Sequence, residues 1–180
     1  MEGDGRHRLF VALPVSEPEV GLLARWQAAE LGARKDMRLV APSNLHFTLA
    51  FLGSRPSTEI EPIVDELRVV AASARRPLLH ARAYRETRSV GMVVFEDEGG
   101  YAGRLADELA GGLERLGVYE RERRPWLPHV TVARFRWPPG LRPEVPSLGE
   151  VSPSEVALYT SVLRRTGAQY EIRESVPLGG

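Results

Sequence analysis

Two strands that carry the same pair of polar side chains constrain this chain more than any other feature. The first is Leu45-His46-Phe47-Thr48-Leu49-Ala50-Phe51-Leu52-Gly53; the second, 83 residues on, is Pro128-His129-Val130-Thr131-Val132-Ala133-Arg134-Phe135. Apolar and β-branched residues fill both, and proline or glycine bounds them, which marks strands. Residues two apart in a strand share a face. His46 and Thr48 therefore stand together, as do His129 and Thr131, while Phe47, Leu49, Val130 and Val132 point the other way into a core. An imidazole and a hydroxyl on an apolar strand gain little unless something polar sits above them. A single His-x-Thr arises easily by chance. Two in matching contexts, using half of the four histidines, are harder to dismiss.

The segments between them repeat an order. Arg8–Val15 reads as a short apolar strand after a frayed start, Met1 to His7. Ser16 with Glu19 forms a capping-box pattern ahead of Val20, Leu23, Ala24 and Leu31, with Gly32 as the stop. Arg38-Leu39-Val40 and a turn at residues 41–44 lead into the first His-x-Thr strand. Thr58 with Glu61 signals a second helix, striped by Ile60, Ile63, Val64, Leu67, Ala71 and Ala74 and ending near Arg75. Leu78–Tyr84 and Gly91–Phe95 form a hairpin. A third helix follows Gly99-Gly100, with Leu105, Leu109, Leu113 and Leu116 on one side and Gly117 at its end. Trp137–Pro146 is proline-rich and irregular, and two closing strands, 155–163 and 170–176, turn around Thr166-Gly167. Strand, helix, connection and His-x-Thr strand thus run once over 8–52 and again over 91–135. The echo implies an α+β fold of one domain over 1–180. Two pseudo-symmetric lobes of antiparallel-rich sheet, covered by helices, bring the two strands to face each other across a central groove.

Composition narrows the class. The 180 residues suffice for one buried core. A polar N-terminus and the lack of a long apolar run point to a cytoplasmic location. There is no cysteine, which excludes disulfides, thiol catalysis and thiolate-bound zinc. Twenty-four basic residues balance 24 acidic ones, so no global basic field marks a nucleic-acid binder. No serine elbow, phosphate loop or dinucleotide fingerprint appears. The acids near the motifs, Glu59, Glu61, Glu120 and Glu122, lack metal-ligand spacing. Two facing histidines can instead supply acid and base on opposite sides of one bond, since a pKa near about 6.5 lets one ring be neutral and the other charged at pH 7. In-line displacement at phosphorus needs that pair, with hydroxyls on the non-bridging oxygens. No cofactor is required.

These segments resemble the paired motifs of the two-histidine phosphoesterases. More narrowly, the chain is similar to the RNA 2′,3′-cyclic phosphodiesterases, also known as LigT-like proteins or 2′-5′ RNA ligases. The likeness rests on 8–13, on 43–53, on Arg124-Pro125-Trp126-Leu127 with the second motif, and on 158–163 with Gly167 and Tyr170. It implies hydrolysis of a terminal 2′,3′-cyclic phosphate to a 2′-phosphate, and in reverse a 2′-5′ ligation. Its partners would be RNA ends of that kind, such as tRNA halves, acted on by a monomer. By the same analogy His46 would be the proton donor, His129 the proton acceptor, and Thr48 and Thr131 phosphate ligands; the near-symmetric motifs alone do not assign these roles. Arg134 is a further candidate for holding the phosphate, the alternative being a plain surface arginine: three residues past Thr131, it should face away on a regular strand and reach phosphate only if the strand ends or twists. Trp126 and Tyr84 could stack on a base or pack in the core, and Arg121, Arg123 and Arg124 could steer RNA or merely be solvated. His7 and His80 have no threonine partner. Two competing readings stand: a phosphodiesterase for small cyclic nucleotide phosphates, and a non-catalytic binder of RNA phosphate ends.

Overall fold

Alternation along the strands dictates two antiparallel sheets, seen in a computed structural model that describes residues 5–32, 34–165 and 167–179. In chain order these form β1 (Arg6–Pro14), α1 (Glu19–Trp26) running into a π turn (Gln27–Leu31), β2 (Met37–Leu39), β3 (His46–Pro56), α2 (Ile60–Ser73), β4 (Leu78–Glu86), β5 (Val90–Glu98), α3 (Tyr101–Arg115), β6 (His129–Phe135), β7 (Glu150–Val151), β8 (Glu155–Arg164) and β9 (Gly167–Pro177). One sheet has the order β3-β1-β8-β9, the other β2-β6-β5-β4-β7. Every pairing is antiparallel. β3, an edge strand of the first sheet, packs against β6 of the second. The two His-x-Thr strands therefore meet where the sheets meet.

The apolar side chains of these strands go where alternation sends them. Phe47, Leu49, Val130 and Val132 join Ile63 and Leu67 of α2 and Leu105, Leu109 and Leu113 of α3 in one core. Phe47 meets Phe95 edge-on at 4.9 Å. The opposite face carries a smaller cluster of Phe10, Ala12, Ala157 and Tyr159, with Tyr170 against it. That face also bears His46 and Thr48.

Each motif strand breaks its alternation at the same place. Ala12 pairs with Thr48 but Val11 with Ala50, and Met92 pairs with Thr131 but Gly91 with Ala133. Leu49 and Val132 are therefore extra residues, each making a β-bulge. Two buried residues stand in a row after each threonine, and the next side chain, Phe51 or Arg134, comes out on the histidine face. The bulge in β6 is held from behind. Gln27, buried in the π turn, donates from Nε2 to the carbonyls of Val132 at 2.7 Å and Val40 at 3.0 Å.

Several local expectations are corrected. Neither capping box forms, and neither N-cap residue makes a side-chain bond; in α1 the Glu17 carboxylate instead accepts the N–H of Gly21 at 3.2 Å. α1 starts at Glu19, too late for that residue to reach back to Ser16, and a 3₁₀ turn at Ser57–Glu59 absorbs Thr58 before α2. The third helix is capped from the preceding strand: the Asp97 carboxylate accepts the N–H groups of Ala102 at 3.1 Å and Gly103 at 2.7 Å. Leu116 lies past the end of α3 and is exposed. β1 starts at Arg6, so His7 is in a strand; the rest of the expected frayed start, 1–4, and Thr166 of the last turn lie outside the described residues. Residues 137–146 lack regular structure, as expected, yet are tied down. The Glu86 carboxylate accepts the N–H groups of Gly140 and Leu141, and the Trp26 indole donates to the Glu144 carbonyl.

Replacing Gln27 with leucine removes a buried donor from two carbonyls. The expected loss is about 1–3 kcal/mol of stability, read as a lower denaturant midpoint with an unchanged slope.

Candidate active site

A groove of about 610 Å³ opens on the histidine face, and its walls include His46, Thr48, Thr131 and Arg134. His129 shares the face of Thr131 by alternation and is half-buried. It stands beside the groove rather than among its lining residues, but its charge is felt at His46. The two histidines are held alike. His46 Nδ1 lies 2.8 Å from the Asn44 carbonyl, and His129 Nδ1 lies 2.8 Å from the Leu127 carbonyl. A carbonyl can only accept, so each Nδ1 carries hydrogen, which makes Nε2 the bare nitrogen of each ring when it is neutral. His46 Nε2 lies 2.9 Å from Thr48 Oγ1 and, when neutral, accepts its hydroxyl hydrogen.

Their surroundings differ. Around His46 stand Phe10, Tyr170 and Tyr159, with ring centroids 5.0, 5.4 and 5.8 Å away. Loss of water in this aromatic setting is the main cause that lowers its pKa to about 4. The hydrogen bond to Asn44 opposes the shift, and the charges of His129 and Arg134 add to it. His46 is therefore neutral at pH 7. Burial also raises Tyr159 to about 12, so that its hydroxyl keeps its proton.

Arg134 reaches the groove, against the expectation for a regular strand, because the bulge at Val132 turns it back. Trp126 and Tyr84 are not free platforms. The Trp126 indole donates to the Thr48 carbonyl at 2.9 Å and packs on the core. Tyr84 pairs with Val93, which pairs with Val130, so it lies on the face away from His129. It covers Gly91, where an added Cβ would strike the phenol, and its hydroxyl bonds Glu86. Arg121 is paired with Asp107 and Glu114 of α3, so its charge is neutralised. Arg123 and Arg124 are exposed and outside the groove wall. His80 pairs with Glu98.

The sequence reading missed much of the wall. Arg8, Arg38 and Arg164 line it together with Arg134, and among the described residues no carboxylate does. Arg8 lies over the Phe51 ring at 5.1 Å. The signal was in the alternation: Arg8, Phe10 and Ala12 share one face of β1, and antiparallel pairing puts that face beside His46. Among the described residues, no group of three histidines or acids is arranged to hold a metal, and no helix is long and apolar enough to cross a membrane.

This arrangement can be compared with known proteins. The family model of LigT-like phosphoesterases matches residues 13–92. An RNA 2′,3′-cyclic phosphodiesterase of Thermus thermophilus is 33% identical over 189 residues, spanning 96% of this chain and 91% of that protein. The chain belongs to the LigT-like phosphoesterase family. Another relative, an RNA 2′,3′-cyclic phosphodiesterase of Geobacillus stearothermophilus, is 27% identical over 97% of this chain, which spans 58% of that protein's length. The fold agrees as well: E. coli LigT, in a crystal structure with 3′-AMP, superposes with a TM-score of 0.83 at 22% identity, over 98% of this chain and 100% of that one. Its α+β architecture of two antiparallel sheets and three helices is thus that of the LigT-like family.

His46 offers a direct check. A bound phosphate offsets the positive field of Arg134 and gives Nε2–H an acceptor, so the pKa should rise from about 4. The sign for folding runs the other way from a salt-bridged histidine. A folded pKa below the ordinary 6.5 contributes stability above pH 6.5, lost as pH falls toward 4. NMR titration of the His46 ring, with and without inorganic phosphate, should show an upward move; an unmoved pKa would place the anion elsewhere.

Proposed function

We propose that this phosphoesterase hydrolyses the terminal 2′,3′-cyclic phosphate of RNA to a 2′-phosphate by acid–base catalysis between His129 and His46. The observation that carries the reading is the convergence of His46, Thr48, Thr131 and Arg134 on one groove whose wall, among the described residues, holds arginines and no acid. The names of the relatives support the substrate class. So does the nucleotide bound to E. coli LigT.

In this reading Thr48, Thr131 and Arg134 hold the non-bridging oxygens. His129 Nε2 takes a proton from water as its oxygen bonds phosphorus. The bond from phosphorus to the 3′ oxygen breaks, and that oxygen takes the proton of His46 Nε2. The phosphate itself charges His46 beforehand, because a neutral imidazole has no Nε2 proton to give. With an RNA hydroxyl in place of water, the same displacement makes a 2′-5′ linkage. The bilobal echo of 8–52 and 91–135 fits a site built twice, one histidine and one threonine from each half.

The test is turnover of a short RNA ending in 2′,3′-cyclic phosphate, with chelator present and the product identified by phosphorus NMR. Wild type should yield the 2′-phosphate, and His46→Ala and His129→Ala should each lose about 10²–10⁴-fold in rate. An inert wild type that still binds the RNA end would make this a binding module. Full activity in either variant would remove that histidine from the chemistry.

A further inference from the structure

Some arginines of this protein are held by acids, and among the described residues the four that gather in the groove are not. Arg34, Arg55, Arg68, Arg82, Arg115 and Arg121 all pair with acids. Among the described residues, the groove arginines Arg8, Arg38, Arg134 and Arg164 make no ion pair, although acidic residues equal basic ones in number. Two of them are set directly against each other. Arg38 of β2 is the register partner of Arg134 of β6, and like charges opposite each other on neighbouring strands repel. Such a pair is stable in this position when an anion lies between or beside the two.

The surroundings of Arg38 form a built wall. The β8–β9 hairpin passes so close that a Cβ at Gly167 would lie 3.1 Å from Arg38 Nη1, and Gly167 has a φ of +123°. The hairpin is anchored by Asn44 Nδ2, which donates to the Ala168 carbonyl at 3.1 Å. Arg164, also in the groove wall, is braced through Nε by Gln169 Oε1 at 3.1 Å, which leaves its Nη groups for an oxygen ligand. Arg8, by contrast, is already placed over Phe51.

We infer that Arg38 and Arg164 form a second phosphate subsite, adjacent to Arg134, that takes the internucleotide phosphate preceding the terminal nucleoside and so selects oligonucleotide ends over mononucleotides. This rests on the proposed reading in one respect, that the terminal phosphate lies between Thr48 and Thr131. A forked guanidinium pair suits a phosphodiester anion. Four guanidinium groups gathered in one groove, with no acid among its described lining residues, favour an anionic strand there.

Binding of two product-like ligands tests it without turnover: adenosine 2′-phosphate, and the adenylyl dinucleotide carrying a 2′-phosphate. Wild type should bind the dinucleotide about tenfold more tightly or better, as one more charge-assisted contact implies. Its affinity should also fall more steeply with salt, by about 0.7 in the logarithmic slope for the added phosphate. In R38A and R164A the ratio of the two affinities should collapse toward one, and R38K should retain part of it. A wild-type ratio near one, or an undiminished ratio in both alanine variants, overturns the subsite. Cyclic-phosphate turnover by wild type is judged separately: activity with a ratio of one removes the subsite alone, and a length-dependent ratio without turnover removes only the phosphodiesterase reading.

Discussion

One extra residue in each of two strands sets the geometry on which the groove depends. A regular strand after Thr131 would send Arg134 into the core face, where an unpaired guanidinium is costly. The bulge at Val132 returns it to the histidine face, and the same step at Leu49 returns Phe51. The two half-sites thus share a backbone and differ in what the backbone presents, a cation in one and an aromatic ring in the other. Gln27 shows that the irregularity is supported: a buried amide spends its hydrogens on the carbonyl of the bulged residue and on that of Val40. Bulges recur beside active sites because they re-aim side chains in this way.

The same backbone symmetry leaves room for electrostatic asymmetry. Both histidines fix their Nδ1 on the carbonyl two residues before. Only His46 has the triad of Phe10, Tyr159 and Tyr170 around it. Burial there favours the neutral ring, and the nearby positive charges favour it further. The difference that near-identical motifs could not express is therefore written in strands β1, β8 and β9, far away in sequence.

That pattern explains what could be read beforehand. The strands, the helical stripes of α2 and α3 and the shared face of each His-Thr pair follow from periodicity, which each segment carries by itself. The bulges do not, because Leu49 and Val132 are ordinary strand residues and register is a property of two strands. Arg134 was left open between a phosphate contact and a plain surface arginine for that reason. Helix starts failed where neighbouring turns competed, as Thr58 shows, since a local capping pattern carries no information about a preceding 3₁₀ turn. The arginine wall was hidden by a net charge of zero: a sum cannot show that four arginines gather in one groove.

The bond from the Trp126 indole to the Thr48 carbonyl joins the chain just before the second motif to the middle of the first. It is a strut. The two imidazoles are held on one frame, and drawing them apart means giving up a half-buried hydrogen bond. Any ligand that needs the two strands spread has to break that strut, so the frame favours what fits between them as they stand.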